Sequence, residues 1–214
     1  MTNIKNILFD FDGTLVDSAQ GIIITMQEVF RRLNIEVPPV EAIRANIGLT
    51  LEKGLLQMDI NDEQRKAAAE MYASLFQEYE LKALTVFPNV KETLSAFKAK
   101  GIRMAIATSR DEYSLQHILK IHGLEGFFET RVTATDHLQP KPAPDPVLAL
   151  LKRMNINDNE TLVVGDTIFD ILMGNGANCH TCAVTYGNHD RDTLLKVSPT
   201  FIIDNFASLK DIVK

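Results

Sequence analysis

The chain has 214 residues, 45% hydrophobic and 23% charged, with a formal net charge of −6. These are the proportions of a globular protein able to bury a sizeable core. The acidic balance argues against nucleic acid or an anionic membrane as partner, which would need a broad basic face. It leaves room for a small anionic substrate, because a metal and a few local cations can dominate one pocket.

The N-terminus, Met-Thr-Asn-Ile-Lys-Asn, passes directly into a first strand. No apolar stretch has the length of a signal-peptide core or a membrane span. A cytoplasmic protein without a membrane partner is expected. Residues 6–9 (Asn-Ile-Leu-Phe) read as a buried strand. Asp10-Phe11-Asp12-Gly13-Thr14 follows, and Gly13 marks a turn. Side chains two apart on a strand share a face, so Asp10 and Asp12 are candidates to enter one site. The alternative is a pair of turn aspartates facing water.

Asp17 or Ser18 is placed to cap a helix running to about residue 34, with Ile22, Met26, Val29, Phe30 and Leu33 on its apolar face. Further helices are expected at 40–46, from a Thr50 cap through residue 58, and from Asn61 or Asp62 through residue 79. No strand is expected from about residue 16 to 84, so this stretch reads as a helical bundle inserted after the first strand. From residue 86 the texture changes. Helices at about 90–101, 115–121, 147–154 and 171–177 alternate with strands at 102–107, 130–134, 161–165, 181–186 and 200–203, and the last two strands are each followed by a helix. Such alternation implies a parallel sheet with crossover helices. The expected organisation is a core of residues 1–15 and 85–214 with a helical lid of residues 16–84 over the sheet's carboxyl edge.

Ligands bind at that edge in open α/β sheets. Asp10/Asp12, Thr108/Ser109/Arg110 and Asp166/Asp170 each follow a strand, so they converge on it. Lys141, in a loop stiffened by Pro142, Pro144 and Pro146, can lean over it. Carboxylates, one lysine and a hydroxyl around a point suit magnesium and a phosphoryl group. Asp166 could alternatively be a helix N-cap, Thr108 an ordinary strand-end hydroxyl and Lys141 a surface lysine. The five histidines read as structural or surface. Cys179 and Cys182 form a C-x-x-C pair, read as two buried reduced thiols, with a redox pair or half a zinc site as weaker alternatives.

D-F-D-G-T-L-V-D-S at 10–18, A-T-S at 107–109, K-P at 141–142 and G-D-T-I-F-D at 165–170 resemble, in order, the four motifs of the haloacid dehalogenase-like superfamily. The inserted helical stretch resembles the cap of its phosphoglycolate phosphatase-like branch. The resemblance implies an α/β fold, a three-layer Rossmann-like core with a parallel sheet plus an α-helical cap. It also implies a magnesium-dependent phosphatase acting on a small phosphorylated metabolite through an aspartyl-phosphate. Asp10 would be the nucleophile and a metal ligand. Asp12 would be the general acid and base, with its backbone carbonyl on the metal. Thr108 and Ser109 would hold the phosphoryl group, and Lys141 would neutralise charge. Asp166 and Asp170 would be metal ligands, Asp170 directly or through water.

Asp12 also separates branches, because a halide leaving group needs no proton and the dehalogenases lack this second aspartate. Arg110 departs from the usual pattern, and it reads either as a substrate contact or as a solvated surface arginine. Arg44, Asn46, Thr50 and Lys53, around the 47–49 loop, are candidates for substrate contact or for a solvated helix end. A sugar-phosphate mutase or a pyrophosphatase on the same scaffold are the near alternatives. A phospho-acceptor signalling domain is the alternative from another class, although it would be shorter and lack the insert. A monomer or weak homodimer is expected.

Overall fold

A computed structural model describes residues 3–214. Met1 and Thr2, with which the expected N-terminal segment and core begin, lie outside the described residues. In chain order the strands are β1 (Asn6–Phe9), β2 (Val16–Asp17), β3 (Thr85–Val86), β4 (Arg103–Ala107), β5 (Thr130–Val132), β6 (Thr161–Gly165), β7 (His180–Val184) and β8 (Phe201–Ile203). Five helices lie between β2 and β3: α1 (Ala19–Arg32), α2 (Val40–Ala45), α3 (Leu51–Leu56), α4 (Asp62–Leu75) and α5 (Glu80–Ala83). Later come α6 (Val90–Ala99), α7 (Glu112–Ile121), α8 (Asp145–Met154), α9 (Ile168–Gly176), α10 (Arg191–Leu195) and α11 (Leu209–Ile212).

Six strands form one sheet in the order β5-β4-β1-β6-β7-β8, and every pairing is parallel. β1 is central because its four residues are all buried and pair on both edges. Alternation divides its side chains between two apolar layers. Ile7 and Phe9 pack with α6, α7 and α11 through Leu94, Phe97, Leu115, Ile118 and Leu209. Leu8 packs on the other face with α8 and α9 through Val147, Leu150 and Met173. The fold is therefore the expected three-layer α/β core with helices on both faces of a parallel sheet. The chain runs outward from β1 through β4 to β5, then returns to β6 beside β1. That reversal is the switch point where such sheets bind ligands.

The helices between β2 and β3 have their own apolar cluster, with Ile23, Met26, Val29 and Phe30 of α1 against Ile43, Leu55, Ala68 and Leu75. Ile23, rather than Ile22, lies in that cluster. Thr50 caps α3, and its hydroxyl accepts the Lys53 N–H at 3.3 Å. Asn61 and Gln64 form a reciprocal capping box on α4. Three expectations need correction here. Val16–Asp17 pairs antiparallel with Thr85–Val86, so strand structure does occur at the start of the stretch expected to lack it. Two residues are too few to show a period of two, which is why the ribbon left no pattern. The fourth helix ends at Leu75, and residues 80–83 form a separate turn of helix. Ser18 occupies the N-cap of α1 but makes no side-chain cap bond, and its buried Oγ has no partner among the described residues. Asp17 belongs to β2 and does not cap the helix.

Candidate active site

Three carboxyl ends carry the site. The Asp10 N–H continues the ladder to the Val164 carbonyl at 2.8 Å, which fixes the backbone where β1 leaves the sheet. The chain then turns at Gly13, where φ is +86° and an added Cβ would lie 2.2 Å from Asp166 Oδ2. Only a residue without Cβ fits this left-handed turn against the neighbouring carboxylate. Asp166 follows β6, and Thr108 follows β4.

Asp10, Asp166 and Asp170 are each at most 4% exposed, and one carboxylate oxygen from each lies within 4.8 Å of the others. Lys141 is 1% exposed. Its Nζ donates to Asp10 Oδ1 and to Asp170 Oδ1, the latter at 2.6 Å. The surface-lysine alternative for Lys141 is thereby removed. Burial opposes the ammonium charge, but Asp10 and Asp170 outweigh it and push its pKa up. Burial raises the Asp10 carboxyl well above its ordinary range, Lys141 pulls it back, and the charges of Asp170 and Asp166 raise it further. Burial, then Asp170, raises Asp166. Crowded buried carboxylates with one lysine among them are short of positive charge. Their all-oxygen donor set suits a hard divalent cation.

Asp166 is oriented by groups that the sequence did not flag. Thr14 Oγ1 donates to its Oδ1 at 3.1 Å. The Asn188 backbone N–H and side-chain amide donate to its Oδ2 at 2.7 and 2.8 Å. Thr14 lies inside the first motif and was within reach of a closer reading. Asn188 follows β7 and carried no signal. Asp166 does not cap a helix, since Thr167 holds the N-cap of α9. Asp170 closes that capping box, its Oδ2 accepting the Thr167 N–H at 3.0 Å and the hydroxyl at 2.7 Å. The helix begins at Ile168, three residues before the expected start.

Thr108 is 6% exposed, and its Oγ1 accepts the Arg110 N–H at 3.1 Å. Ser109 Oγ donates to the Gly48 carbonyl at 2.7 Å, tying the α2–α3 loop to the rim. Asp12 turns its side chain to Arg110, whose Nε and Nη2 donate to Oδ2 and Oδ1 at 2.9 and 2.5 Å. Arg110 also pairs with Glu80, and the two side chains are 7% and 0% exposed. Tyr72 donates to the second Glu80 oxygen at 2.6 Å. The solvated-arginine alternative for Arg110 is thus overturned. Burial opposes its charge, and Asp12 and Glu80 more than restore it. Glu80 and Tyr72 were missed because their partner is distant in sequence.

Above these residues lies a cavity of about 770 Å³. Asp10, Asp12, Thr108, Ser109, Arg110 and Lys141 line it, together with Asn46, Thr50 and Lys53 of the helical stretch. Arg44 is exposed and is not among its lining residues. Cys179 and Cys182 are buried free thiols away from this cavity, each pushed up to about 12 by burial. His189 Nδ1 accepts the Ile168 N–H at 3.1 Å, a structural use at the start of α9.

A family model described as haloacid dehalogenase-like hydrolase matches residues 7–184. The chain is 36% identical over 208 residues to "Probable phosphatase IndB" of Dickeya dadantii, covering 95% of this chain and 90% of that protein. It is 29% identical to a phosphoglycolate phosphatase of Vibrio vulnificus, covering 98% and 96%. A solved haloacid dehalogenase-like family protein of Streptococcus pneumoniae superposes with a TM-score of 0.87 at 25% identity, covering 99% of each chain. With its motifs on one sheet rim and the family match spanning most of its length, the chain belongs to the haloacid dehalogenase-like hydrolases.

Proposed function

We propose that this enzyme is a magnesium-dependent phosphatase of a small phosphorylated metabolite, working through an aspartyl-phosphate on Asp10. The observation that carries the reading is the Lys141 ammonium held between Asp10 and Asp170, with Asp166 alongside. Asp10, Asp166 and Asp170, with the Asp12 backbone carbonyl, would hold the ion. Bound there, it would supply positive charge for the phosphoryl oxygens.

Asp10 attacks phosphorus, and its new O–P bond forms as the ester P–O bond breaks. The bonding pair leaves on the substrate oxygen, which takes a proton from Asp12 in its protonated form, turned from the Arg110 fork that holds its carboxylate here. Asp12, now a carboxylate, accepts a proton from water as that water's oxygen attacks phosphorus. The acyl O–P bond breaks, phosphate leaves and Asp10 returns to a carboxylate. Lys141 keeps Asp10 oriented and offsets charge on the transferring group. Thr108 Oγ1 is an acceptor for Arg110, so its own O–H is available to a phosphoryl oxygen. Residues 16–84 act as a cap over a core of 1–15 and 85–214, excluding water while the ester is cleaved.

The test is release of inorganic phosphate from p-nitrophenyl phosphate with magnesium. Turnover well above background, abolished by chelator and restored by magnesium, is expected. A stable phospho-aspartate with little ester turnover would instead indicate a phospho-acceptor domain.

A further inference from the structure

Resting on the phosphatase reading, we infer that the physiological leaving group is bulky, apolar and uncharged, not a small carboxylate or a second phosphate. The walls of the cavity above Asp10 carry this. Ile43, Leu51, Met58, Ala69, Tyr72 and Phe76 line it from the helical stretch. Its volume of about 770 Å³ is that of a pocket for a drug-sized ligand, far beyond a two-carbon acid.

The basic groups on the same wall are largely engaged. Lys141 is held by Asp10 and Asp170. Arg110 is held by Asp12 and Glu80, beneath the Phe76 ring at 5.6 Å. Lys53 remains, partly exposed beside the exposed Glu52, with no ion-pair partner among the described residues; His137 is exposed. No arginine fork is open to a second anion, and such forks are the usual bidentate holders of carboxylate and phosphate. Asn46 and Thr50 add polar groups to the lining, but an anionic leaving group would still give up water for mostly apolar walls with one flexible ammonium in reach, which is unfavourable. An apolar body would gain with every methylene it buries. Discrimination would thus come from the α2–α4 walls, with the phosphoryl group held by the rim.

Primary alkyl phosphates separate this from leaving-group chemistry, because their alcohols have similar acidity while their apolar bulk differs. The protein with magnesium is assayed for phosphate release from ethyl, butyl, hexyl and benzyl phosphate, phosphoglycolate and pyrophosphate. The expected result is a kcat/KM that climbs about tenfold or more from ethyl to hexyl or benzyl phosphate, with phosphoglycolate and pyrophosphate below them. A second arm uses Leu51→Asp. Leu51 is the first residue of α3, where a carboxylate suits the helix N-terminus. The benzyl-to-ethyl ratio should fall toward one, and a ratio cancels any loss of folded enzyme. A flat alkyl series, or phosphoglycolate or pyrophosphate exceeding benzyl phosphate, overturns the inference and leaves the phosphatase reading standing. An unchanged ratio in Leu51→Asp removes the wall from substrate choice. No phosphate from any ester overturns both readings.

Discussion

Asp10 lies between a lysine and two further carboxylates, so what each substitution does follows from which charge it removes. Asp10→Asn removes the oxygen proposed to attack phosphorus and keeps the shape. We expect turnover to fall by about a thousandfold or more, with the circular dichroism spectrum unchanged. Retained turnover would move the nucleophile elsewhere. Asp12→Ala should depress hydrolysis of alkyl phosphates far more than of 2,4-dinitrophenyl phosphate, whose leaving group needs no proton. Equal losses would deny proton donation. Glu80→Ala leaves Arg110 and Tyr72 facing a buried gap. Arg110 keeps its pairing with Asp12, so the cost is that of buried donors left without an acceptor: a loss of about 1–3 kcal/mol in urea unfolding is expected, and a loss under about 0.5 kcal/mol would indicate that water fills the place easily. At this scale the sequence exposed the carboxylates and Lys141, because residue type and motif order mark them. It could not expose Glu80 or Asn188, whose partners Arg110 and Asp166 are 30 and 22 residues away in sequence.

Elements were legible wherever burial imposed a period. β1, β4 and β6 are near-continuous apolar runs, as strands covered on both faces must be. The Thr50 cap of α3 and the Asn61 cap of α4 announce helix starts. The β2–β3 ribbon and the one-turn α5 were not legible, since neither is long enough to repeat. Both lie where the helical stretch joins the core, and α5 packs tightly there. An added Cβ at Gly21 of α1 would stand 2.7 Å from the Glu80 carbonyl. Since that contact is backbone, the helix itself would have to shift. Gly21→Ala should therefore cost about 1–3 kcal/mol by chemical denaturation despite alanine's better helix propensity. A stabilised variant would mean that the α1–α5 contact is looser than described.

Across the whole molecule, the parallel sheet puts every strand's carboxyl end on one side, and the reversal at β1 opens the crevice in which acids, lysine and hydroxyl meet. The sequence carried that architecture because strand–helix alternation permits few topologies. It could not carry the orientation of Asp12 toward Arg110, 98 residues away, or the apolar character of the cavity, which comes from side chains of residues 43–76 lining it. The core makes its own prediction. Burial holds both thiols in the protonated form, so at about pH 8 neither Cys179 nor Cys182 should react readily with Ellman's reagent in the native protein. Both should react once guanidinium unfolds it. Rapid native labelling would contradict the burial of Cys179 beside α8 and α9 or of Cys182 in β7.

The most direct test of the phosphoryl-transfer account is to trap the enzyme during turnover of an aryl phosphate with magnesium, using borohydride in the Asp12→Ala background, and to map the product by peptide mass spectrometry. An acyl phosphate would be reduced to the alcohol, and we expect that change at Asp10 alone. Reduction at another aspartate, or unmodified peptides from a preparation still releasing phosphate, would contradict it.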